Sequence, residues 1–532
     1  MSVMGSLPRR QVVITFTGVL LAIFLSAMDQ TIVATALPAI VAELGGFTHY
    51  TLITTAYLVS STVLIPITGR LTDLFGRKWF YTAGIAIFIL GSLLCGLSQT
   101  LTQLVIFRAF QGIGAGVMIA NAFAVIGDLF PPAERGKYQG YVSAIFGLAS
   151  VIGPSLGGFL TDTISWHWIF YINVPIGIGV IILFVFFFPN LRPAPGQHRI
   201  DYLGIALLVL TTVPLMLALT WGGVQYPWLS PQIIGMIVFS LAMGVIFYRL
   251  EVRNPEPILP LRFFTDRIIS ISLAVTLFIG FGMFGGIIFI PLYFQGVLGL
   301  SATASGSFLT PMMLGVVAGS VTSGQLLSRA GGHYKIQGIV GIAIMAGGMG
   351  LLSTLTTQTS FATAVSYIVL TGLGLGVTFP LYTVAIQNAV PHRFMGVVIS
   401  SVPFSRFIGG TFGLAILGSL MSNRFAAQFL GQLSPTVKGL ITQDKLLSLA
   451  HNPQALVSAQ AQQELKSALA QLGPQADQVY NQIIEALRQS LMSALTEVFI
   501  IGLAATVIAF IIHLFIKEIP LRRQHESTEG SS

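Results

Sequence analysis

Charge is scarce in this sequence. Asp, Glu, Lys and Arg together make up 8% of its 532 residues, against about a quarter in soluble domains. So little polar surface cannot cover the core of a soluble chain this long, which excludes a soluble enzyme, a nucleic-acid binder and a disordered protein. The formal charge of +8 does not reverse this, because where the charges lie matters more than their sum. Cysteine is nearly absent. The single Cys95 sits in an apolar run, so there is no disulfide framework and no cysteine metal centre. The eight histidines are scattered singly, and no metal site or cofactor is expected. No phosphate-binding G-x4-G-K-[ST] loop occurs: Gly136-Lys137 has Pro131 in place of the earlier glycine and is followed by Tyr138. That excludes ATP as the energy source on this chain and points to an ion gradient. No secretory signal peptide is expected, since the first apolar run is about 25 residues long and more follow.

What is abundant is apolar sequence, with 54% hydrophobic residues and a mean hydropathy of +0.84. A membrane helix needs about 20 mostly apolar residues. Fourteen such runs are legible, near 12–36, 50–69, 79–98, 101–124, 138–160, 167–189, 202–221, 231–250, 268–293, 303–327, 337–355, 360–384, 396–420 and 492–516. Each is continuously apolar rather than alternating, so helices are expected and not barrel strands. With the N-terminus inside, most of the 26 basic residues fall in inner loops, among them Arg9, Arg10, Arg77, Lys78, Arg135, Arg192, Arg199, Arg393, Arg522 and Arg523. The short outer loops hold none, as the positive-inside rule requires. Trp79 is expected at the inner interface, and Trp166, Trp168, Trp221 and Trp228 at the outer one.

The chain also repeats itself. GIGAG at 112–116 matches GLGLG at 372–376, and Gly136, Gly153 and Gly158 match Gly396, Gly413 and Gly418 at the same offset of 260. GRLTDLFGR at 69–77 matches GQLLSRAGG at 324–332 more weakly, at an offset of 255. The expected organisation is a six-helix half over 1–190, two inserted helices with their linkers over 191–267, and a second six-helix half over 268–532. The last contains an extracytoplasmic segment, 424–490, and a cytoplasmic tail, 517–532. Duplicated halves around a midplane site are the architecture of secondary transporters. The 424–490 segment, with breakers at Pro435, Asn452-Pro453 and Gly473-Pro474, reads as two or three short amphipathic helices forming a cap or spacer.

Several motifs carry chemistry. The loop between the second and third runs reads GRLTDLFGRK, Gly69 to Lys78. Gly69, Leu71, Asp73, Gly76, Arg77 and Lys78 match G-x-L-x-D-x-x-G-R-[KR], and in this the chain resembles the major facilitator superfamily. The resemblance implies a latch between the halves on the cytoplasmic side, with the Asp making charge and helix-end contacts. A carboxylate at a helix N-terminus is favoured by roughly 0.3–1 kcal/mol. The second-half copy has Ser328 in place of Asp73 and is expected to have lost the latch. The first run contains AMDQTIVATALP, Met28 to Pro38, which resembles the D-x-T-x-V-x-x-A-L-P motif of the fourteen-span drug:proton antiporter branch. A carboxyl inside a membrane is costly enough to be a functional candidate by default, and a group that moves between dry and wet surroundings can load and release a proton.

FRAFQGIGAG in the fourth run resembles the family's R-x-x-Q-G-x-G through Arg108, Gln111, Gly112 and Gly114. At 1.5 Å per residue, Asp29 and Arg108 lie at similar depth, and the resemblance implies that the first and fourth runs both line the cavity, so the two are expected to be close. Their pairing is either the proton-coupling device or a permanent ion pair that only holds helices together. The fifth run, GYVSAIFGLASVIGPSLGG, resembles the antiporter motif through Gly140, Gly153, Pro154, Gly157 and Gly158, with Ala149 replacing the central glycine. The resemblance sets the direction as export. Arg406 and Glu497, the other charges inside runs, are expected to pair locally or to snorkel. Asp128 lies in an inner loop.

The expected fold is an all-α integral membrane protein with the major facilitator fold: fourteen helices, two pseudo-symmetric six-helix halves, two inserted central helices, and both termini cytoplasmic. The expected function is a secondary active transporter, not an enzyme. It would export lipophilic or cationic small molecules across the cytoplasmic membrane by alternating access, driven by the proton gradient, with no other cofactor. Two other readings stay open: an exporter of an endogenous lipid, siderophore or metabolite with an envelope partner bound through 424–490, and a non-transporting sensor or scaffold. A channel is disfavoured by the lack of a charged ring or filter sequence.

Overall fold

The computed structural model describes residues 8–44, 51–189, 200–223, 225–299, 302–329, 333–391, 394–442, 446, 449, 456 and 459–520. The expected inner-loop residues Arg192, Arg199 and Arg393, the breaker Asn452-Pro453 and most of the C-terminal tail lie outside them. Among the described residues fourteen helices of at least fifteen residues follow one another. They are α1 (Arg9–Leu44), α2 (Thr51–Phe75), α3 (Arg77–Gly96), α4 (Leu101–Leu129), α5 (Pro132–Thr163), α6 (Asn173–Phe187), α7 (Tyr202–Trp221), α8 (Pro231–Glu251), α9 (Arg267–Leu292), α10 (Ala302–Arg329), α11 (Tyr334–Leu352), α12 (Phe361–Ala389), α13 (Met395–Gln432) and α14 (Ala476–Leu514). Twelve spans within them are long and apolar enough to cross a membrane, the span that includes α6 starting at Trp168. The helices α9 and α10 stand outside that twelve, and their side chains are described only in part.

Local chemistry sets the ends. Thr100, Asp201, Ser230, Asp266 and Ser360 each cap the helix that follows by accepting from a first-turn amide, which satisfies a donor that the helix itself cannot. Gly76, with φ of 91°, joins α2 to α3 by a turn of one residue. A side chain there would be strained.

The two largest apolar clusters divide along the repeat. One is built mainly from α1 to α6 and includes Phe88, Met118, Ile126 and Phe184. The other is built from α9 to α14 and includes Tyr293, Met345, Tyr382 and Leu495. Between them α5 lies along α10, and α2 lies along α13. The first seam is close because it is built of glycine. A Cβ on Gly136 would meet the Gly324 carbonyl, and one on Gly324 would meet the Gly136 carbonyl. The helices α7 and α8 pack on each other, and α7 leans on α2 and α13.

The basic helix ends gather at one end of the bundle. There Arg267 Nε donates to the Phe515 carbonyl at 2.9 Å, and Tyr334 Oη donates to the Lys517 carbonyl at 2.9 Å. At the opposite end two expectations need correcting. The segment 424–490 is not a free-standing set of short helices. The helix α13 continues without a break through 38 residues to Gln432, and α14 begins at Ala476 and runs 39 residues. Each is about 57–59 Å long at 1.5 Å per residue, against about 30 Å of hydrocarbon. Hydropathy falls past residue 420, but a helix needs no hydropathy to continue. Of the described residues between them, Pro435–Leu440 and Ala459–Leu469 are short helices. Trp166 is the other correction. It is buried rather than interfacial, and its Nε1 donates to Glu43 at 2.8 Å. Trp79 and Trp168 are exposed as expected.

Candidate functional site

Asp29, in the middle of α1, is wholly buried. Its Oδ2 accepts from Arg108 Nη1 at 2.6 Å. Its Oδ1 accepts from Gln111 Nε2 at 2.9 Å and from Asn173 Nδ2 at 3.1 Å. The same Arg108 nitrogen also donates to Gln111 Oε1 at 2.8 Å. Arg108 and Gln111 lie one turn apart on α4, so they share a face and reach Asp29 together. Arg108 lies 4.2 Å from the Tyr57 ring centroid, a cation–π contact that α2 contributes. Tyr57 is tied back to α1 by a hydroxyl contact with Ser26 at 3.2 Å. Asn173 also donates to Ser92 at 3.0 Å, which brings in α3. Five helices therefore converge on one carboxylate, and charge-assisted bonds of this kind are roughly twice as strong as neutral ones.

The sequence singled out Asp29, Arg108 and Gln111. It missed Tyr57, Ser92 and Asn173. Asn173 was findable: it is a lone amide in the apolar run 167–189, and an amide buried there needs a partner.

The motif glycines explain how the backbones approach. A Cβ on Gly112 would strike the Tyr57 carbonyl, and one on Gly114 would strike Phe88 N and the Gly84 carbonyl. Gly114→Val is therefore expected to destabilise the fold by about 1–3 kcal/mol through overpacking, read as a lowered melting temperature in detergent. An unchanged melting temperature would contradict this packing. In α5, Gly153 accommodates Thr31, and Gly157 accommodates Thr35 and Ile32 of α1. Thr31 Oγ1 donates to the Ala149 carbonyl at 3.1 Å. Gly140 faces the Ser320 carbonyl across the seam with α10. Pro154 lies inside α5. Gly158 has open space where a Cβ would be, so close packing does not account for it.

The loop motif forms a second cluster at the basic end. Asp73 accepts from the backbone amides of Gly396 and Val397, both at 3.0 Å. These are first-turn amides of α13, so the carboxylate of one half caps a helix of the other. Gly69 lies where a side chain would meet Ser400 and the Gly396 carbonyl. Arg77 holds Asp73 at 3.0 Å and also pairs with Asp128 at the end of α4. Lys78 donates to the Val185 carbonyl at 2.9 Å. Asp128 as the partner of Arg77 was missed, because residues 51 apart in sequence give no spacing signal.

The second-half copy departs from its expectation. Ser328 has not lost its contact: its Oγ accepts from the Lys137 amide at 3.1 Å. Lys137 corresponds to Val397 at the offset of 260 but lies in the second turn of α5, whereas Val397 lies in the first turn of α13. The contact survives with its charge removed.

Of the other two charges inside runs, Glu497 meets the expectation of a pair and Arg406 does not. Glu497 does pair, with Arg424 at 2.8 Å. Among the described residues Arg406 makes no ion pair, and its Nε and Nη2 are buried without a hydrogen-bond partner. It is buried in α13, 4.0 Å from the Phe379 ring centroid.

Comparison with known proteins agrees with this arrangement. The sequence pattern described as Major Facilitator Superfamily matches residues 19–414. The chain belongs to the Major Facilitator Superfamily. It is 40% identical over 531 residues to the multidrug transporter protein MdtP of Bacillus subtilis, covering 98% of this chain and 95% of that protein. It is 37% identical to multidrug resistance protein 3 of the same organism, covering 97% of each. Over 97% of this chain and 89% of the relative, it is 31% identical to the efflux pump FUS6 of Gibberella moniliformis. Among solved structures its fold is similar to the human organic anion transporter MFSD10, with a TM-score of 0.58 at 13% identity, covering 94% of this chain and 100% of the other. It is also similar to the proton:xylose symporter XylE, with a TM-score of 0.55 at 14% identity, covering 90% and 94%. This chain is thus a multi-pass membrane transporter of small molecules and not an enzyme.

Proposed function

We propose that this transporter is a proton-coupled exporter of lipophilic or cationic small molecules, an antiporter working by alternating access across the cytoplasmic membrane. Its fourteen helices all span, the halves and inserted pair divide near 1–190, 191–267 and 268–532, and both termini are cytoplasmic. The basic end is the cytoplasmic side, which the contacts of Asp73 and Ser328 hold shut. The observation that carries the reading is Asp29: a carboxylate sealed at mid-span, paired with Arg108 and ringed by donors. The names of the relatives support drug-like cargo.

A sealed carboxylate makes the coupling a two-state affair. With the cytoplasmic end shut, the Asp29 carboxylate is held by Arg108, Gln111 and Asn173. A proton arriving from outside removes the charge that holds Arg108, and the five helices lose their common anchor. The contacts of α1 with α5 at Gly153 and Gly157 then carry the loosening to the helix that forms the seam with α10. Release of the proton inside restores the pair.

The test is efflux of a fluorescent cation from everted vesicles with an imposed pH gradient, with and without a protonophore. Gradient-dependent transport that the protonophore abolishes is expected. Transport indifferent to the gradient would remove proton coupling.

Ser328→Asp adds a test of the shut end. A carboxylate there would meet the Lys137 amide, in the second turn of α5, with full charge. Export is expected to slow several-fold as the shut state gains stability, with cargo affinity kept. An unchanged rate would count against the contact being part of the closure.

A further inference from the structure

The N-terminal half neutralises Arg108, its arginine buried at mid-span, and the C-terminal half does not neutralise Arg406. Arg406 is 8% exposed. Its Nε and Nη2 are buried without a hydrogen-bond partner, and its guanidinium stacks 4.0 Å from the Phe379 ring centroid. No acid can reach it from α9 to α13, because the sequence from Arg267 to Gln443 contains neither Asp nor Glu. Glu497, the acid in the spanning part of α14, is held by Arg424. Arg406 lies eleven residues into α13, about 17 Å along it, and so near the middle of the bilayer. A buried charge there needs a counter-charge. A ring face stabilises a guanidinium but accepts none of its hydrogen bonds.

We propose that Arg406 and Phe379 form a binding site for the carboxylate of an amphipathic cargo. The guanidinium presents its donors in a planar fork that matches a carboxylate. Phe379 orients the fork and offers an apolar wall to the rest of the molecule. The inference rests on the exporter reading and extends the cargo from lipophilic cations to lipophilic acids. Arg108 cannot serve this role while Asp29 occupies it. The two halves would therefore divide the work, the first half holding an internal carboxylate and the second a transported one.

The experiment is titration calorimetry on the purified full chain in detergent, with 2-naphthoate and its neutral isostere 2-naphthamide. Naphthoate is expected to bind about tenfold or more tightly than naphthamide to the wild type. In Arg406→Gln that ratio should fall to near one. Arg406→Lys, which keeps the charge and loses the fork, should fall between. Removing an unpaired buried charge does not strand a partner, so Arg406→Gln is expected to fold. Equal affinities in the wild type, no binding of either compound, a ratio unchanged by Arg406→Gln, or an equal loss of both ligands would each overturn the site. Proton-driven efflux of ethidium by the reconstituted wild type separates the two readings. Efflux without naphthoate selectivity defeats only the acid site, whereas selectivity without efflux defeats only the exporter.

Discussion

Asp29→Asn is expected to abolish gradient-driven export, a fall of about 100-fold or more, because asparagine cannot take up and release a proton at working pH. The substitution also leaves Arg108 buried beside a neutral side chain. Breaking a buried pair by neutralising one partner costs about 3–5 kcal/mol, so lost activity alone could reflect lost structure. The double variant Asp29→Asn with Arg108→Gln separates the two, since neither residue is then charged. Its thermal stability should recover toward the wild type while export stays absent. Two measurements decide this: melting temperature in detergent, and dye efflux from everted vesicles under an imposed pH gradient. A double variant that still exports under the gradient would show that the pair only holds α1 to α4, and the coupling role would be lost.

Asp73→Asn is expected to slow export about tenfold with KM changed less than about twofold. The carboxylate caps two amides of α13 at 3.0 Å each and accepts from Arg77. Asparagine keeps one acceptor and loses the charge, and hydrogen bonds to charged groups contribute about 1.5–3 kcal/mol. The shut state would become less populated, and turnover requires passage through it. Arg77 would keep Asp128 as a partner, so the variant should fold. Initial rates over a range of dye concentrations measure the split. A raised KM at constant maximal rate would place Asp73 in cargo binding instead.

Much of this site was legible because helices have a fixed rise. Depth, with the resemblance setting both helices around one cavity, placed Asp29 beside Arg108, and they are in contact. Periodicity placed Gln111 on the same face. The loop motif placed Asp73 near a helix end, but not which one, since nothing local says that the amides of Gly396 and Val397 lie opposite. Asn173 and Tyr57 were hidden for the same reason: their contacts join helices far apart in sequence. Hydropathy supplied the spans and the resemblance the motifs, yet the resemblance predicted too little for Ser328, where a hydroxyl keeps the contact without the charge. Arg406 was misread because a local pair needs an acid, and α9 to α13 carry none, so the guanidinium packs on the Phe379 ring instead. The 424–490 segment was misread because hydropathy marks where lipid ends, not where a helix ends.

The helix α13 begins at the amides that Asp73 holds and ends at Gln432, well beyond the hydrocarbon. In the proposed orientation it would work as a lever with one arm in each compartment. Tilting it by about 10° around its midpoint swings each tip by about 5 Å, given a length of about 57 Å. An object that grips the far tip from outside the cell would therefore brake the inner closure without entering the membrane.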